Sequence, residues 1–519
     1  MFSPSAATPP DDWPSKIALE PFDAANAALL AHVAPKSWVN PAPADRYHLV
    51  VVGAGTAGLV SAAIAVGLGA RVALVERHMF GGDCLNFGCV PSKALIRSAR
   101  AWHDAETAHA VFAGPRVTEP GDFSAVMARL RALRTELSDV DSVERFSGLG
   151  VDVFLGEAAF TGTDCVQVGG ATLHFRRAII ATGARASRPP IPGLSETPYD
   201  TNGSIFSLTE RPERLLVIGG GPIGAELAQA FARLGSTVTI AHADAAVLPH
   251  EDPDAAAIVA RSLTNDGVQI VNGAKIEHVA YADHLFTVSL SGTGAPTTVH
   301  ADRLLVATGR TPNVEGLGLE AAGVAFTKRG ITVNDRFRTS NPKIYAIGDV
   351  SSTLQFTHVA DAQARLAVPN ALFFNIGGGR NSDLVVPRAT YTSPEVAHVG
   401  LTLDDAAARG VAVDTVRVEL ANNDRARLDG EAEGFLKVHL EKGTDRILGA
   451  TLVAAHAGDM ISELGVAITN GVGLGGVGKT IHAYPTQSEV FRRAADAWRR
   501  KRLTPTAKRF FGWWFRLFT

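Results

Sequence analysis

Cys84 and Cys89 are separated by four residues in the run Gly81-Gly82-Asp83-Cys84-Leu85-Asn86-Phe87-Gly88-Cys89-Val90-Pro91-Ser92-Lys93. Two thiols this close can carry reversible disulfide chemistry. On a regular α-helix a five-residue step sets Cα atoms roughly 8 Å apart, whereas a disulfide needs about 4.4 to 6.8 Å. The pair can therefore close only on a distorted turn, and Gly88 and Pro91 are expected to supply the distortion. A bond that opens and closes beside an electron donor is a redox relay.

The elements that must position these thiols begin with a nucleotide-binding pattern just upstream. Val51-Val52-Gly53-Ala54-Gly55-Thr56-Ala57-Gly58 follows an apolar strand and leads into an alanine-rich helix. Gly53 makes the turn, Gly55 lets a pyrophosphate approach the backbone, and Gly58 allows close helix–strand packing, with the phosphates at the helix N-terminus. Arg71-Val72-Ala73-Leu74-Val75-Glu76 then places a carboxylate at the end of a second strand, where ribose hydroxyls are read. Residues 49–70 carry no charged side chain and are long enough to suggest a membrane helix. The glycine turn divides that run, which reads better as strand, turn and helix.

A second unit of the same kind runs from Leu215 to Glu226, with Gly219, Gly221, Pro222, Ile223 and Gly224 in its turn and helix start. Its following strand ends Val238-Thr239-Ile240-Ala241-His242-Ala243, with neither a carboxylate nor an arginine to read the ribose 2′ position. His242 is a candidate phosphate ligand there, or else a surface histidine. Two such halves imply two dinucleotides with electron transfer between them.

The bulk properties agree with an enzyme of this size. A length of 519 residues suggests about three domains, and 46% hydrophobic content is enough for several cores. A formal net charge of −3 leaves no electrostatic footprint for nucleic acid. Three cysteines are too few for a disulfide-stabilised secreted chain of this length, which points to a reducing cytoplasm. Met1 to Asp12 lacks the basic-then-apolar order of a secretory signal. Cys165, in the strand-like stretch Cys165 to Val168, is expected to be a small buried hydrophobe.

From about residue 47 to about 495, the order of these motifs resembles the FAD-dependent pyridine nucleotide–disulfide oxidoreductases, the family of glutathione reductase, lipoamide dehydrogenase and mercuric reductase. The resemblance implies an α/β fold with two Rossmann-like domains, for FAD and NAD(P), and a C-terminal α+β dimerisation domain. It sets residues 1–46 as an N-terminal extension, 47–190 with 311–385 as the FAD domain, 191–310 as the NAD(P) domain, 386–497 as the interface domain and 498–519 as a tail. FAD would take the first glycine turn with Glu76 and Lys93, closed by Asp349 of Ile347-Gly348-Asp349. NADH or NADPH would take the second turn. Ala181-Thr182-Gly183 and Ala307-Thr308-Gly309-Arg310 match the crossings between the two domains.

The same resemblance makes Cys89 the flavin-side thiol, Cys84 the interchange thiol, and Lys93 and Glu226 an ion pair near the flavin. Tyr391 to Ala397 and Asp424 to Arg427 resemble the interface region. A homodimer follows, each active site being completed by the partner chain.

The chain departs from the family at position 484. Disulfide reductases carry His-Pro-Thr with a glutamate three residues after the threonine, whereas this chain reads Tyr484-Pro485-Thr486-Gln487-Ser488-Glu489. A phenol of pKa about 10 does not cycle protons at neutral pH as imidazole does. His482 lies two residues too early, about 6.5 Å back along an extended strand. A leaving organic thiolate needs that proton, whereas a soft metal ion bound by two thiolates does not.

Position 484 therefore favours a metal-ion substrate, with Cys84 and Cys89 as transient mercuric ligands and no resident structural metal. Mercuric reductases also place tyrosine near this position but typically end in paired cysteines; residues 1–46 and the tail from Ala494 contain none. Reduction of a lipoamide- or glutathione-type disulfide or of a quinone stays open, as does a redox-sensing flavoprotein with little turnover.

Two further segments matter. Gly473-Leu474-Gly475-Gly476-Val477-Gly478-Lys479-Thr480 spells a phosphate loop, but a helical pattern precedes it where a buried strand is required. From Trp498 the chain is rich in Arg, Lys, Trp and Phe, and nine cations from Arg492 to Arg516 face the single acid Asp496. That composition suits peripheral contact with an anionic membrane at its inner face, or packing on the dimer.

Overall fold

The computed structural model describes residues 17, 19–119, 121–292 and 297–518. The reading of Met1 to Asp12 lies outside the described residues. The chain forms two parallel-sheet α/β bodies and a C-terminal antiparallel sheet with helices.

The first sheet is centred on Tyr47–Val52, paired in parallel with Val72–Glu76 on one side and with the second half of Ala171–Ile180 on the other. Asp152–Leu155 extends it beyond Val72–Glu76, and Ile344–Ala346 returns from far along the chain to pair with Ala178 to Ile180. Its strands are buried on both faces, as helices on each side of a parallel sheet require. Leu49, Val51 and Ile179 meet the helices Thr56–Gly67 and Thr357–Leu372, while Val50, Val52, Phe154 and Phe175 fill the opposite core.

The first half of Ala171–Ile180 pairs antiparallel with Cys165–Val168. Strand alternation turns Val166 and Val168 inward there. Cys165 is consequently half-exposed rather than buried as expected, with Sγ 3.3 Å from Thr161 Oγ1.

The N-terminal segment packs on this first body. Asp23 caps the helix Ala24–Val33 by accepting the Asn26 N–H at 2.9 Å, and Leu29 and Val33 enter the first core.

The second body has four parallel strands in the order Gln269–Val271, Thr237–Ala241, Arg214–Ile218, Arg303–Val306, with a three-stranded antiparallel sheet beside them. The chain enters and leaves this body through two short strands, Ala184–Ala186 and Arg310–Pro312, which pair antiparallel with each other. The third body is a five-stranded antiparallel sheet ordered Pro387–Thr390, Glu395–Gly400, Ile447–Ala454, Phe435–Glu441, Val413–Glu419, covered by the helices Ser462–Thr469 and Glu489–Lys501.

Around the phosphate-loop lookalike, the helix Ser462–Thr469 comes first and Leu474–Val477 makes one turn. Its Gly475 N–H already donates to the protein's own Asp445 carboxylate at 3.2 Å. Beyond, Thr504 caps a separate helix, Pro505–Leu517, in which no residue is buried. No described helix is long and apolar enough to cross a membrane.

Candidate active site

Both glycine turns open onto one continuous cleft of about 2820 Å³. Single-ligand pockets run to roughly 1,000 Å³, so this one has room for two dinucleotides. Each turn is tied to its crossing segment at a point only glycine fits: Gly53 has φ +103°, and a Cβ there would stand 2.4 Å from the Ala181 oxygen. Gly219 repeats the arrangement at φ +121° against the Ala307 oxygen, also at 2.4 Å. Thr182 and Gly183 are fastened to Asn313 through Thr182 Oγ1 donating to the Asn313 oxygen (2.8 Å) and Asn313 N–H donating to the Gly183 oxygen (3.0 Å). Gly309 accepts the Ser187 N–H at 2.9 Å on the other crossing.

Thr56 and Ala57 begin one helix, and Pro222, Ile223 and Gly224 the other, so both present free N–H groups to the cleft. Glu76 lies at the end of its strand with Oε2 accepting the Ala54 N–H (2.6 Å) and Oε1 the His78 N–H (2.7 Å). Burial pushes its pKa up against those hydrogen bonds. Asp349, in the turn Gly348–Val350, also lines the cleft and is likewise raised by burial. These residues fit FAD: the glycine cradle and helix start suit a pyrophosphate, and the two carboxylates lie where ribose and ribityl hydroxyls would reach.

The dithiol segment is built against the first turn. Gly82, at φ +57°, lies so close that a Cβ would stand 2.7 Å from Gly55 Cα. Cys84 belongs to a short helix, Gly82–Asn86, and Cys89 is the first residue of the long helix Cys89–Phe112. Gly88, at φ −123° and ψ −113°, makes the break between them. Pro91 contributes none of that distortion, contrary to the expectation, because it lies in the first helical turn where its missing N–H costs nothing.

In the reduced pair the charge settles on Cys89. The hydrogen bond from Cys84 is the largest cause, and with the Thr357 hydroxyl at 3.4 Å and the Lys93 ammonium it outweighs burial and brings the Cys89 thiol down to about 6. The same shared hydrogen bond, with burial, pushes Cys84 up. The start of a long helix further favours an anion at Cys89.

Lys93 Nζ lies 2.7 Å from Glu226 Oε2, joining the dithiol helix to the second glycine-turn helix, Pro222–Arg233. The other Glu226 oxygen accepts the Tyr391 N–H at 2.9 Å, and the Tyr391 ring lies under the ammonium with 4.4 Å to its centroid. One ion pair thus ties all three bodies together at the cleft.

Three contributors escaped the sequence reading. Arg310 bridges Asp83 (3.1 Å) and Asp349 (3.5 Å), and Asn202 donates to Asp83 (3.0 Å) and to the Phe87 oxygen (3.2 Å), so the dithiol turn is held from the second body. Thr357 is the third. Arg310 stood in a quoted crossing motif; Asn202 and Thr357 carry no local signal.

Tyr484 and Glu489 do not line the cleft. Tyr484 is 70% exposed and donates to Asp424 at 3.2 Å, a hydrogen bond that raises its pKa. Glu489 is buried and held by Arg492 and, at 3.6 Å, by Arg493, and its charge adds to the upward push on Tyr484. The side chain of His482 is buried, with its ring nitrogens on Glu463 (2.9 Å) and the Thr480 oxygen (3.1 Å). His242 is no surface histidine, since its side chain is 2% exposed beneath the second glycine turn.

Two dinucleotide turns converging on a dithiol define a flavin- and nicotinamide-dependent disulfide oxidoreductase. Comparison with known families agrees. Residues 47–364 match the pyridine nucleotide-disulphide oxidoreductase model and residues 386–495 match that family's dimerisation domain.

A mercuric reductase of Lysinibacillus sphaericus is 35% identical over 94% of this chain and 91% of its own length. A dihydrolipoyl dehydrogenase of Geobacillus stearothermophilus is 35% identical over 86% and 95%. Among solved structures, RclA, an HOCl-induced flavoprotein disulfide reductase of Escherichia coli, superposes with a TM-score of 0.77 at 30% identity, covering 87% of this chain and 99% of that one. The chain belongs to the pyridine nucleotide-disulphide oxidoreductase family, uses FAD and NAD(P)H, and carries the domain through which such proteins form homodimers.

Proposed function

We propose that this oxidoreductase reduces mercuric ion in the cytoplasm. NAD(P)H would bind at the second glycine turn and the Cys84/Cys89 pair would take the metal. FAD, when bound at the first turn, supplies the two-electron carrier between nicotinamide and dithiol. Cys89 would hold the thiolate on the flavin side, Cys84 would meet the substrate, and the Lys93–Glu226 pair would set the charge beside the flavin. The domain divisions at about residues 190, 310 and 385 belong to the same reading, as does completion of each site by Tyr484 of the second chain.

The observation that carries the choice of substrate is the absence of a free imidazole in the segment 482–489. Tyr484 is a phenol bound to Asp424, and His482 is locked by Glu463 and Thr480. Expelling an organic thiolate calls for an acid there; releasing reduced metal does not. The similarity to mercuric reductases supports the same substrate.

The exposed helix Pro505–Leu517 supports a peripheral seat on an anionic membrane at its inner face. At about 100° per residue, Phe510, Phe511, Trp513 and Trp514 fall on one side of it and Lys508, Arg509 and Arg516 on the other.

The test is NADH and NADPH oxidation by one FAD-loaded preparation with mercuric ion, lipoamide, glutathione disulfide and a quinone, with release of elemental mercury measured directly. Mercury release matching nicotinamide oxidation is expected. Faster turnover with a disulfide or quinone overturns the assignment, and no turnover with any acceptor leaves a redox-sensing flavoprotein.

A further inference from the structure

A second group of metal-ligating side chains lies on the outer face of the first body, where Cys165–Val168 pairs with the first half of Ala171–Ile180. Cys165 and His174 are direct cross-strand partners. The Phe175 N–H donates to the opposing Asp164 oxygen at 3.0 Å, so 164 and 175 form a hydrogen-bonded pair and Cys165 and His174 the non-hydrogen-bonded pair beside it. In that register side chains stand closest, with Cβ atoms about 4.5 to 5.5 Å apart. Val166 and Leu173 are buried, so strand alternation turns the thiol and the imidazole outward together. Asp164 completes the group: Cys165 Sγ, a ring nitrogen of His174 and a carboxylate oxygen of Asp164 all lie within 4.8 Å of one another. None of the three residues lines the cleft.

The donors are available to a ligand. Among the described residues, Cys165 Sγ has the Thr161 hydroxyl as its one hydrogen-bond partner, at 3.3 Å, and no hydrogen bond engages the His174 ring. Lys343 (3.0 Å) and Arg46 (3.8 Å) both meet Asp164 at Oδ2, which leaves Oδ1 for a further cation. Those two side chains are 39% and 57% exposed, so solvent screens their repulsion of a metal ion.

We infer that Asp164, Cys165 and His174 form a mononuclear site for a borderline divalent cation of the zinc type, with water in the fourth position. Thiolate and imidazole select such a cation over magnesium or calcium, which take oxygen ligands. Tetrahedral bonds of about 2.0 to 2.3 Å set ligand atoms roughly 3.3 to 3.8 Å apart. Closure therefore asks for about 1 Å of convergence, within reach of rotation about the side-chain bonds of the exposed His174 and the half-exposed Asp164. Binding releases the Cys165 proton, and the thiolate and carboxylate then set two negative charges against the two of the cation. The site runs against the expectation of no structural metal, since its histidine reaches the cysteine only across the hairpin. It lies outside the cleft, so the inference stands or falls separately from the identity of the electron acceptor.

Zinc ion is the calorimetric probe and cobalt the spectroscopic one, applied to FAD-loaded protein in which Cys84→Ser and Cys89→Ser remove the dithiol. Protein with the Cys84–Cys89 pair oxidised to its disulfide serves as a parallel preparation without substitutions. One zinc per chain is expected, and cobalt should give a thiolate charge-transfer band in the difference spectrum. Cys165→Ser and His174→Gln should each weaken zinc by on the order of a hundredfold, the upper end of what losing even a supporting partner costs a metal site. Asp164→Asn should cost on the order of tenfold. Unfolding of Cys165→Ser and His174→Gln without metal should match the parent, whereas zinc should raise the unfolding temperature of the parent and not of Cys165→Ser. No stoichiometric zinc in either preparation overturns the inference. So does zinc binding unchanged by His174→Gln, which would leave only a lone surface thiol.

Discussion

Thr357→Val should move the titration of the reduced dithiol upward. In the intact protein Cys89 titrates at about 6 because a hydrogen bond from Cys84, a second from the Thr357 hydroxyl at 3.4 Å, and the Lys93 ammonium all favour the thiolate. Valine keeps nearly the same volume and removes only the hydroxyl. A hydrogen bond to an ionised group contributes about 1.5 kcal/mol or somewhat less at this length, and 1.36 kcal/mol corresponds to one pKa unit. The midpoint should therefore rise by about one unit. The sign follows from the depressed pKa: thiolate is present above the midpoint and lost as pH falls through it. At pH 7 the thiolate fraction should drop from about nine-tenths to about half. The assay is ultraviolet thiolate absorbance of the anaerobically reduced protein against pH, cross-checked by the pH dependence of alkylation at Cys89. A midpoint unmoved by the substitution, in protein with normal FAD content, refutes the role given to Thr357. A wild-type midpoint in the ordinary thiol range near 8.5 refutes the whole account of Cys89.

Three further outcomes are expected. Tyr484→His should raise turnover with lipoamide or glutathione disulfide, with Asp424 rather than Glu489 as the partner of the new imidazole; a folded, FAD-loaded variant with no gain on either disulfide means the phenol does not limit that reaction. Arg310→Met leaves the half-buried Asp349 without its partner and frees Asp83, so thermal unfolding and FAD retention should report a loss of about 1 to 3 kcal/mol, the scale of charge-assisted hydrogen bonds at a partly solvated site; unchanged unfolding and retention would show the bridge to be idle. Truncation before Thr504 removes Lys508, Arg509 and Arg516, each contributing about 1 kcal/mol at an anionic surface, along with the aromatic face, so liposome sedimentation should fall on the order of a hundredfold at low salt. Equal sedimentation of the two forms excludes the membrane seat. The cut is placed after Lys501 because Trp498 packs on the third core and Lys501 donates to the Thr415 oxygen.

The parts of the site that were legible in the sequence are those where chemistry leaves one residue type a choice. Gly53 and Gly219 sit at left-handed φ with a carbonyl where Cβ would go, so their spacing advertises the turn. Two cysteines at a fixed short interval advertise the dithiol in the same way. What stayed hidden depends on long-range competition for partners. Glu489 has the right spacing from Thr486, yet arginines one helical turn on, at 492 and 493, claim its carboxylate. Arg310 meets Asp83 only because the crossing ribbon brings the second body back to the first, and Asn202 and Thr357 arrive from unrelated segments. The polarity of His242 suggested exposure, but the glycine turn has room for a ring beneath it, and burial followed. Cys165 was misjudged in the opposite sense, because strand alternation sets the odd positions of that hairpin outward.

The crossing ribbon has a consequence for the modularity of the chain. Ala186 and Arg310 are paired neighbours across an antiparallel ladder, a separation of about 5 Å that a two-residue turn spans. Everything between them leaves and returns through one doorway, like a bag closed at the neck. The strand order of the first sheet, including the late-arriving Ile344–Ala346, does not pass through that bag. The second body is thus a cassette whose excision would leave adjacent ends ready for religation, but whose replacement would also have to supply the partners of Lys93 and Asp83 and cover the helices Cys89–Phe112 and Phe123–Ser138, with which it shares a core.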